Sequence, residues 1–450
     1  VILLAGILSL AATVPAQTYK VLAYFNGKPG APEFPGLIAQ SLGGSMLTTS
    51  TDQMSDLHGV AFRVETSGAL TVEHEFDKAT GDLASSGLTL GRDGEFYGAT
   101  MFGGIGQAGS VYRMTPDGTV TTLHEFTGGD ESHPQAPPVQ SLYGDFYGTT
   151  SGDDSHPGAV YKIDSSGVYT LLHTFTGKDG SGPVAPLVQD PNNFWFYGAA
   201  ADSGPSNVGT LFRISSTGQF EVLYNFDVGH GAYPVSMMRA NDGNYYGAAY
   251  WGGSDSNGVI FKLTPGGALS VLHYFNGNDG SGPTGNLVQA TDGDLYGTAG
   301  GGGAHGFGTL FRIDLATGAL QVLHNFELSS GEGPVALIQH TDGYLYGDTS
   351  SGGTFNGTAY QGTFFRYDLG LSSFITYLDC YGRVGETVTI LGEGFTPGTE
   401  VLFNGIPGQV TEVEPTFLKV QVPLGATTGY LTATTTKGLL KSNKIFTVRP

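Results

Sequence analysis

Residues 282–326 read GPTGNLVQATDGDLYGTAGGGGAHGFGTLFRIDLATGALQVLHNF. Four short runs of β-forming residues stand out: NLVQ from Asn286, DLYGT from Asp294, GTLFRI from Gly308 and LQVLHNF from Leu320. They are called strands a, b, c and d below. Asp292-Gly293 joins a to b. Asp-Gly is a strong hairpin signal, because a two-residue hairpin turn needs positive φ and Gly takes it at little cost. The c–d link, Ala316-Thr317-Gly318, is also short, whereas the b–c link (Gly300–Phe307) and the link from d to the next a (Asn276–Pro283) are long.

The unit recurs along most of the chain. Tyr-Gly pairs begin at Tyr97, Tyr147, Tyr197, Tyr246, Tyr296 and Tyr346, and a degenerate copy, Met46-Leu47-Thr48-Thr49-Ser50, sits one period earlier. A strand-c aromatic, mostly before a basic residue, falls at Phe62, Tyr112, Tyr161, Phe212, Phe261, Phe311 and Phe365. Strand d ends at Phe25, Phe76, Phe126, Phe175, Phe226, Phe275 and Phe326. Four antiparallel strands at a period of about 40–50 residues are the signature of a β-propeller blade. A stacked β-helix has shorter turns and lacks the hairpins. The repeats begin with a d strand (Val21–Phe25) and end after a c strand (Gly362–Tyr367). The expectation is an all-β, seven-bladed propeller over residues 17–369, whose N-terminal strand completes the last blade and removes its open edge.

Composition agrees. The 450 residues include 73 Gly and 22 Pro, only 13% are charged and 12% are aromatic. That excludes a helical bundle, which needs Lys, Glu and Arg, and a disordered chain, which lacks aromatics. From Gly370 onward six acids balance six bases, so residues 1–369 carry the whole net charge of −21. Such a surface repels phosphate backbones and anionic lipid, and nucleic acid is not an expected partner. The single Cys380 allows no intrachain disulfide or cysteine metal cluster and reads as a small apolar residue. Val1–Ala16, VILLAGILSLAATVPA, is apolar, too short to span a bilayer and ends small-x-small. It reads as a signal peptide (1–16) cleaved before Gln17, leaving an extracellular, periplasmic or cell-surface protein with no membrane insertion.

With L-Y-G-T-T, G-G, G-T-V-F and L-H-x-F patterns recurring in order, the units resemble the GloVer (Gloeo/Verruco) tandem repeat of exported bacterial proteins. The first unit departs in lacking Tyr-Gly and Gly-Gly. In that family the repeats precede varied C-terminal surface anchors, and the resemblance brings no activity with it. After Leu371 the period breaks. Gly385–Phe395, Val401–Gly405 and Val420–Pro423 read as strands with Gly and Pro punctuation, and Pro423–Gly429 as a loop. This segment, residues 372–450, resembles the immunoglobulin-like IPT/TIG domain, a β-sandwich. Members serve as spacers or binding modules in surface proteins and carbohydrate-active enzymes, and in some transcription factors as DNA-binding parts. The neutral charge here argues against the last role.

No catalytic set stands out. His74, His124, His173, His273 and His324 share one position of strand d and so belong to the architecture, partly buried and hydrogen-bonded. The Asp-Gly turns at Asp93, Asp242, Asp292 and Asp342 answer to turn geometry. There is no H-E-x-x-H, G-x-S-x-G or phosphate-binding G-x-x-x-x-G-K-[ST]. Strand parity places all the long loops on one rim, where binding sites collect. The ligand-binding candidates there are Trp251, Tyr250, Asp153, Asp154, His156, His133, Asp202, His230, Asp255 and His305. Trp251 departs from the repeat: other units carry Phe102, Gly152, Asp202, Gly301 or Ser351 at its position. It reads either as a platform for a sugar ring or an apolar side chain, or as a plug between blades, while Trp195 reads as core. No cofactor is implied except that Asp130, Asp179 and Asp279, in similar loops, are candidates for Ca²⁺, against the reading that each caps its own turn. The function expected is an exported, non-enzymatic binding scaffold for a glycan or extracellular protein. The alternative is a polysaccharide lyase or glycosidase using paired carboxylates on the same face.

Overall fold

The computed structural model describes residues 18–25, 37–50, 58–84, 86–128, 132–153, 155–355 and 358–449. The leader segment 1–16, Asp130 and Asp154 lie outside the described residues. Among the described residues there is no helix. The repeat region forms a propeller-like succession of seven antiparallel sheets. A representative sheet runs Val139–Gln140, Phe146–Thr150, Ala159–Ile163 and Tyr169–Thr174 in the order a-b-c-d. In one sheet strand a is split into Ser281–Pro283 and Val288–Gln289, both paired with b. In the last sheet, strand d is supplied by the other end of the chain. Thr18–Tyr24 pairs antiparallel with Thr363–Asp368, in register Tyr19↔Tyr367 and Val21↔Phe365.

Burial follows strand order. Strand b is buried along its length, as in Phe96–Thr100. Strand c is buried except at the residue that is usually basic, as at Arg113 and Arg312. Strand d is half exposed. The Tyr-Gly pair explains much of this packing. Its Gly has negative φ; what it provides is space. Gly297 pairs with Phe311 across the b–c ladder, and a Cβ there would lie 2.7 Å from both the Phe311 ring and Leu287. The strand-c ring therefore lies over a bare backbone, the aromatic cover that compensates a glycine in a strand. The first sheet, which has Thr48 in place of this Gly, still pairs Thr48 with Phe62. The Tyr of the pair reaches back to the Asp-Gly turn: the Tyr97, Tyr246, Tyr296 and Tyr346 hydroxyls each donate to the turn Asp at 2.7 Å. The turn aspartates are thus structural.

Three kinds of contact recur between neighbouring sheets. In strand b, Tyr97 stacks on Phe146, Tyr147 on Phe196 and Tyr197 on Tyr245, with centroids 3.9–4.0 Å apart. In strand d, His124 stacks on Tyr169 and His173 on Phe220. At the end of strand a, a glutamine accepts a hydrogen bond from an a–b turn amide of the preceding sheet: Gln140 from Arg92, Gln189 from Leu142, Gln289 from Asn241 and Gln339 from Thr291. Arg239 stands in place of one glutamine, 3.5 Å from Asp190, and Leu90 in place of another. The same contacts join the last sheet to its neighbours. Tyr19 stacks on His324 at 3.9 Å, and Gln40 accepts from the Thr341 amide.

The C-terminal domain is a sandwich. One sheet runs Thr376–Tyr377, Thr387–Leu391, Phe417–Gln421 and Gln409–Val413; the other runs Ile406–Pro407, Glu400–Phe403, Leu431–Thr435 and Gly438–Lys441. Ile390, Phe403, Leu418, Val420 and Phe446 are buried between them, and Cys380 is half-buried against this core. The domain sits on the face of the repeat region that carries the a–b turns. Phe374 N donates to Thr341 O, Thr416 Oγ1 to Leu42 O, Asn241 Nδ2 to Asn443 O, and Arg92 pairs with Asp379.

Tyr19 is the side chain that makes the N-terminal strand part of the last sheet. Besides its stack on His324, it packs against Phe326 and Phe365 and donates to Ser330 O at 2.8 Å. Tyr19→Ala is expected to lower the free energy of unfolding by about 3 kcal/mol, as for other large-to-small changes in packed positions. Its exposed neighbour is the control: Lys20→Ala should change stability by less than about 0.5 kcal/mol. Urea unfolding of the two variants checks this, and equal midpoints would mean that the strand is not integral.

Candidate functional site

With one face covered by the C-terminal domain, the opposite face, built from the b–c and d–a loops, is the open one. It is stitched together by a recurring hydrogen bond from a b–c glycine to the preceding d–a link: Gly104 to Lys78 O, Gly204 to Gly177 O, Gly253 to Val228 O, Gly303 to Gly277 O and Gly353 to Leu328 O. At Gly252-Gly253 both residues have φ near +80°, and a Cβ on Gly252 would lie 2.7 Å from Val228 O. The Gly-Gly pairs are therefore geometric requirements, which leaves recognition to the side chains beside them.

Trp251 ends a strand b, Tyr245–Trp251, and is 55% exposed. Its ring meets Tyr250 edge-on at 4.9 Å, and the Tyr250 ring lies under Gly282. The plug between sheets is ruled out by that exposure. Val228 and Tyr274, the latter closely flanking Gly253, are also exposed, so the indole stands in a surface with further apolar area. Trp195 is half-buried rather than core, with the Arg213 guanidinium 4.8 Å from its ring centroid.

The polar candidates divide into local pairs. Asp153 accepts from the Ser155 amide and lies 2.7 Å from His156 Nδ1; these contacts hold its carboxyl below the usual range. Asp227, which the sequence reading did not single out, pairs in the same way with His230. Asp255 accepts from Ser254 Oγ, and Asp202 joins the Ser181 backbone. His305 is exposed. His133 lies with Asp153, Phe102, Gln135 and Ser151 along a shallow cleft of about 570 Å³ between two sheets. There His133 Nδ1 is 2.7 Å from Gly152 O, and its ring meets Phe102 edge-on. The structure thus brings His133 and Asp153 to one cleft and Tyr250 and Trp251 to another place; the carboxylates of Asp153, Asp227 and Asp255 bond to neighbouring hydroxyls, amides and histidines, while burial raises that of Asp202.

Asp179 and Asp279 are committed to their loops. Asp179 Oδ1 accepts from the Thr176 amide and hydroxyl, and Oδ2 lies 2.9 Å from His173 Nε2. Burial opposes ionisation of Asp179, but these donors prevail and hold its carboxyl low. Asp279 repeats the arrangement with Asn276 and His273. Among the described residues no three His, Cys, Asp or Glu side chains gather as a metal site would require.

The strand-d histidines are architectural, but not all are hydrogen-bonded as expected. His173 and His273 are, and His74 meets the Gly118 backbone, but the Nε2 atoms of His74 and His324 are buried without a partner. Burial lowers His324 to about 4, from an ordinary 6.5. The folded state therefore refuses a proton that the unfolded chain takes up as pH falls below 6.5. Stability from this group is fully present above 6.5 and is lost progressively down to pH 4. His324→Phe keeps the stack on Tyr19 and removes the titration. Its stability between pH 6.5 and 4 should fall less steeply than that of the parent, by up to about one proton in slope. Urea unfolding across that range checks it; parallel profiles would contradict it.

A family model described as the Gloeobacter/Verrucomicrobia repeat matches residues 10–196 and 195–399, and an IPT/TIG domain model matches residues 374–448. No curated protein matches the chain. Among solved structures, a fungal alcohol oxidase of the AA5 family in complex with copper is similar over 94% of this chain and 98% of its own, with TM-score 0.54 and 15% identity. A gluconolactonase from Xanthomonas campestris is similar over 75% of this chain and 96% of its own, with TM-score 0.42 and 14% identity. At these identities the likeness concerns the fold alone.

Proposed function

We propose that this chain, which belongs to the Gloeobacter/Verrucomicrobia repeat family and ends in an IPT/TIG domain, is an exported, non-enzymatic binding scaffold. Its seven sheets are read as the blades of a closed propeller. Three features support closure: the paired N-terminal strand, the Tyr19–His324 stack and the Gln40–Thr341 hydrogen bond. Export is supported by the apolar leader and the low charge content.

The ligand is a glycan held at the long-loop face. One observation carries this: Trp251 is a half-exposed indole on the face that the IPT/TIG domain leaves open, at a repeat position where no aromatic is needed for packing. An indole edge-braced by Tyr250 offers a flat apolar surface at small cost in rotamer entropy, suited to the apolar face of a sugar ring. The acidic surroundings favour a neutral sugar over an anionic one.

A glycan array with the full chain should return neutral oligosaccharides. Trp251→Ala should weaken capture by about tenfold or more, as for other aromatic anchors, while the melting temperature stays within about a degree. A large fall in melting temperature with binding intact would assign Trp251 to packing and overturn the reading.

A further inference from the structure

A second cleft, of about 410 Å³, opens where the IPT/TIG domain meets the a–b turn face, away from Trp251. It holds three of the chain's 19 basic residues, Arg92, Arg383 and Arg449, in a molecule of net charge −21. Their states differ. Arg92 is spent on docking: it pairs with Asp379 and donates to Ser141 O and the Tyr381 hydroxyl. Arg449 stacks over Tyr381 at 4.0 Å and Phe194 at 4.7 Å, and the one hydrogen bond of its side chain among the described residues runs to Pro191 O at 3.5 Å. No carboxylate among the described residues reaches it. Arg383 is exposed, and its side chain makes no hydrogen bond or ion pair among the described residues; its backbone amide donates to Glu386 Oε2 and its carbonyl accepts from the Glu386 amide. Tyr143, 65% exposed, stands on the propeller side of the same cleft.

We infer that this cleft binds a carboxylate-bearing sugar, a uronic-acid unit of an acidic polysaccharide. The sugar carboxylate would be met by Arg383 and Arg449, since guanidinium groups pair with carboxylates through two parallel hydrogen bonds. The Tyr143 ring offers a stacking surface for the pyranose. Glu386, exposed on the same wall, accepts from sugar hydroxyls. Glu386 also decides between ligand classes. It would repel the closely spaced carboxylates of an acidic peptide, but suits a sugar that carries one carboxylate among several hydroxyls.

Binding of a short oligogalacturonate to the full chain carrying Trp251→Ala, which removes the anchor of the long-loop face, is measured by calorimetry beside the corresponding neutral oligogalactoside and tests the inference. The acidic oligosaccharide should bind and the neutral one should not, and affinity should fall as salt is raised. Arg383→Gln disturbs no internal contact and should lower affinity about tenfold, the loss of roughly one charge-assisted hydrogen bond. Tyr143→Ala should lower it as well, while restoring Trp251 should leave the affinity for the acidic oligosaccharide unchanged, so that failure here and failure at the long-loop face are told apart. Equal binding of the neutral oligosaccharide, no binding of the acidic one, or unaltered affinity in both Arg383→Gln and Tyr143→Ala would overturn the inference. An oligoglutamate binding as tightly as the uronate would overturn the sugar assignment.

Discussion

The pairing of Thr18–Tyr24 with Thr363–Asp368 is the contact on which the repeat region depends. Each sheet is small, and its outer strand d stays half exposed with its neighbours in place. Six joints are made between units consecutive in sequence. The joint that unites the ends of the region brings together residues some 300 positions apart, as in Gln40 with Thr341. Closing so long a loop costs conformational entropy that grows only slowly with its length. A few kinds of contact that recur between neighbouring sheets, aromatic stacks and inter-sheet glutamine bonds, therefore also serve to join the two ends of the repeat region. Because these contacts lie within strands and a–b turns, they leave the side chains of the opposite loops free to vary.

The two faces differ in kind for a physical reason. The a–b turns are tight, and their aspartates are committed to tyrosine hydroxyls and turn amides, so that rim is even and suits docking of a compact domain. The b–c and d–a loops are longer; glycine backbones and aspartates such as Asp179 and Asp279 hold them, while other side chains, such as Trp251 and Val228, point outward. Trp251 is the largest of these and the most accessible of the two tryptophans.

The repeat made much of this legible in the sequence. The strand order, the closing N-terminal strand and the structural role of the turn aspartates all follow from positions that recur. The exposure of Trp251 was one of two readings precisely of a residue that breaks the recurrence. The glutamine at the end of NLVQ recurs too, but its partner is an amide in another sheet, and no spacing within one unit reveals it. The docking of the IPT/TIG domain was not legible either. It uses Leu42, Arg92, Pro191, Asn241 and Thr341, one position in from the start of each a–b turn or close to it, where the residue varies among units. Variation at a turn position in an otherwise regular repeat is the signal that was available. The cleft with Arg383 and Arg449 exists only once the two domains meet, so neither domain's sequence contains it.

The central claim is that the face opposite the IPT/TIG domain captures ligand through Trp251. Because the chain has only two tryptophans, Trp195→Phe leaves Trp251 as the sole indole reporter. Its fluorescence, followed while neutral oligosaccharides are added, tests the claim most directly. The account predicts the emission of a water-exposed indole, readily quenched by acrylamide, that shifts to the blue and becomes protected as ligand binds. Emission of a buried indole before any ligand is added, or an exposed indole that no bound oligosaccharide perturbs, would contradict it.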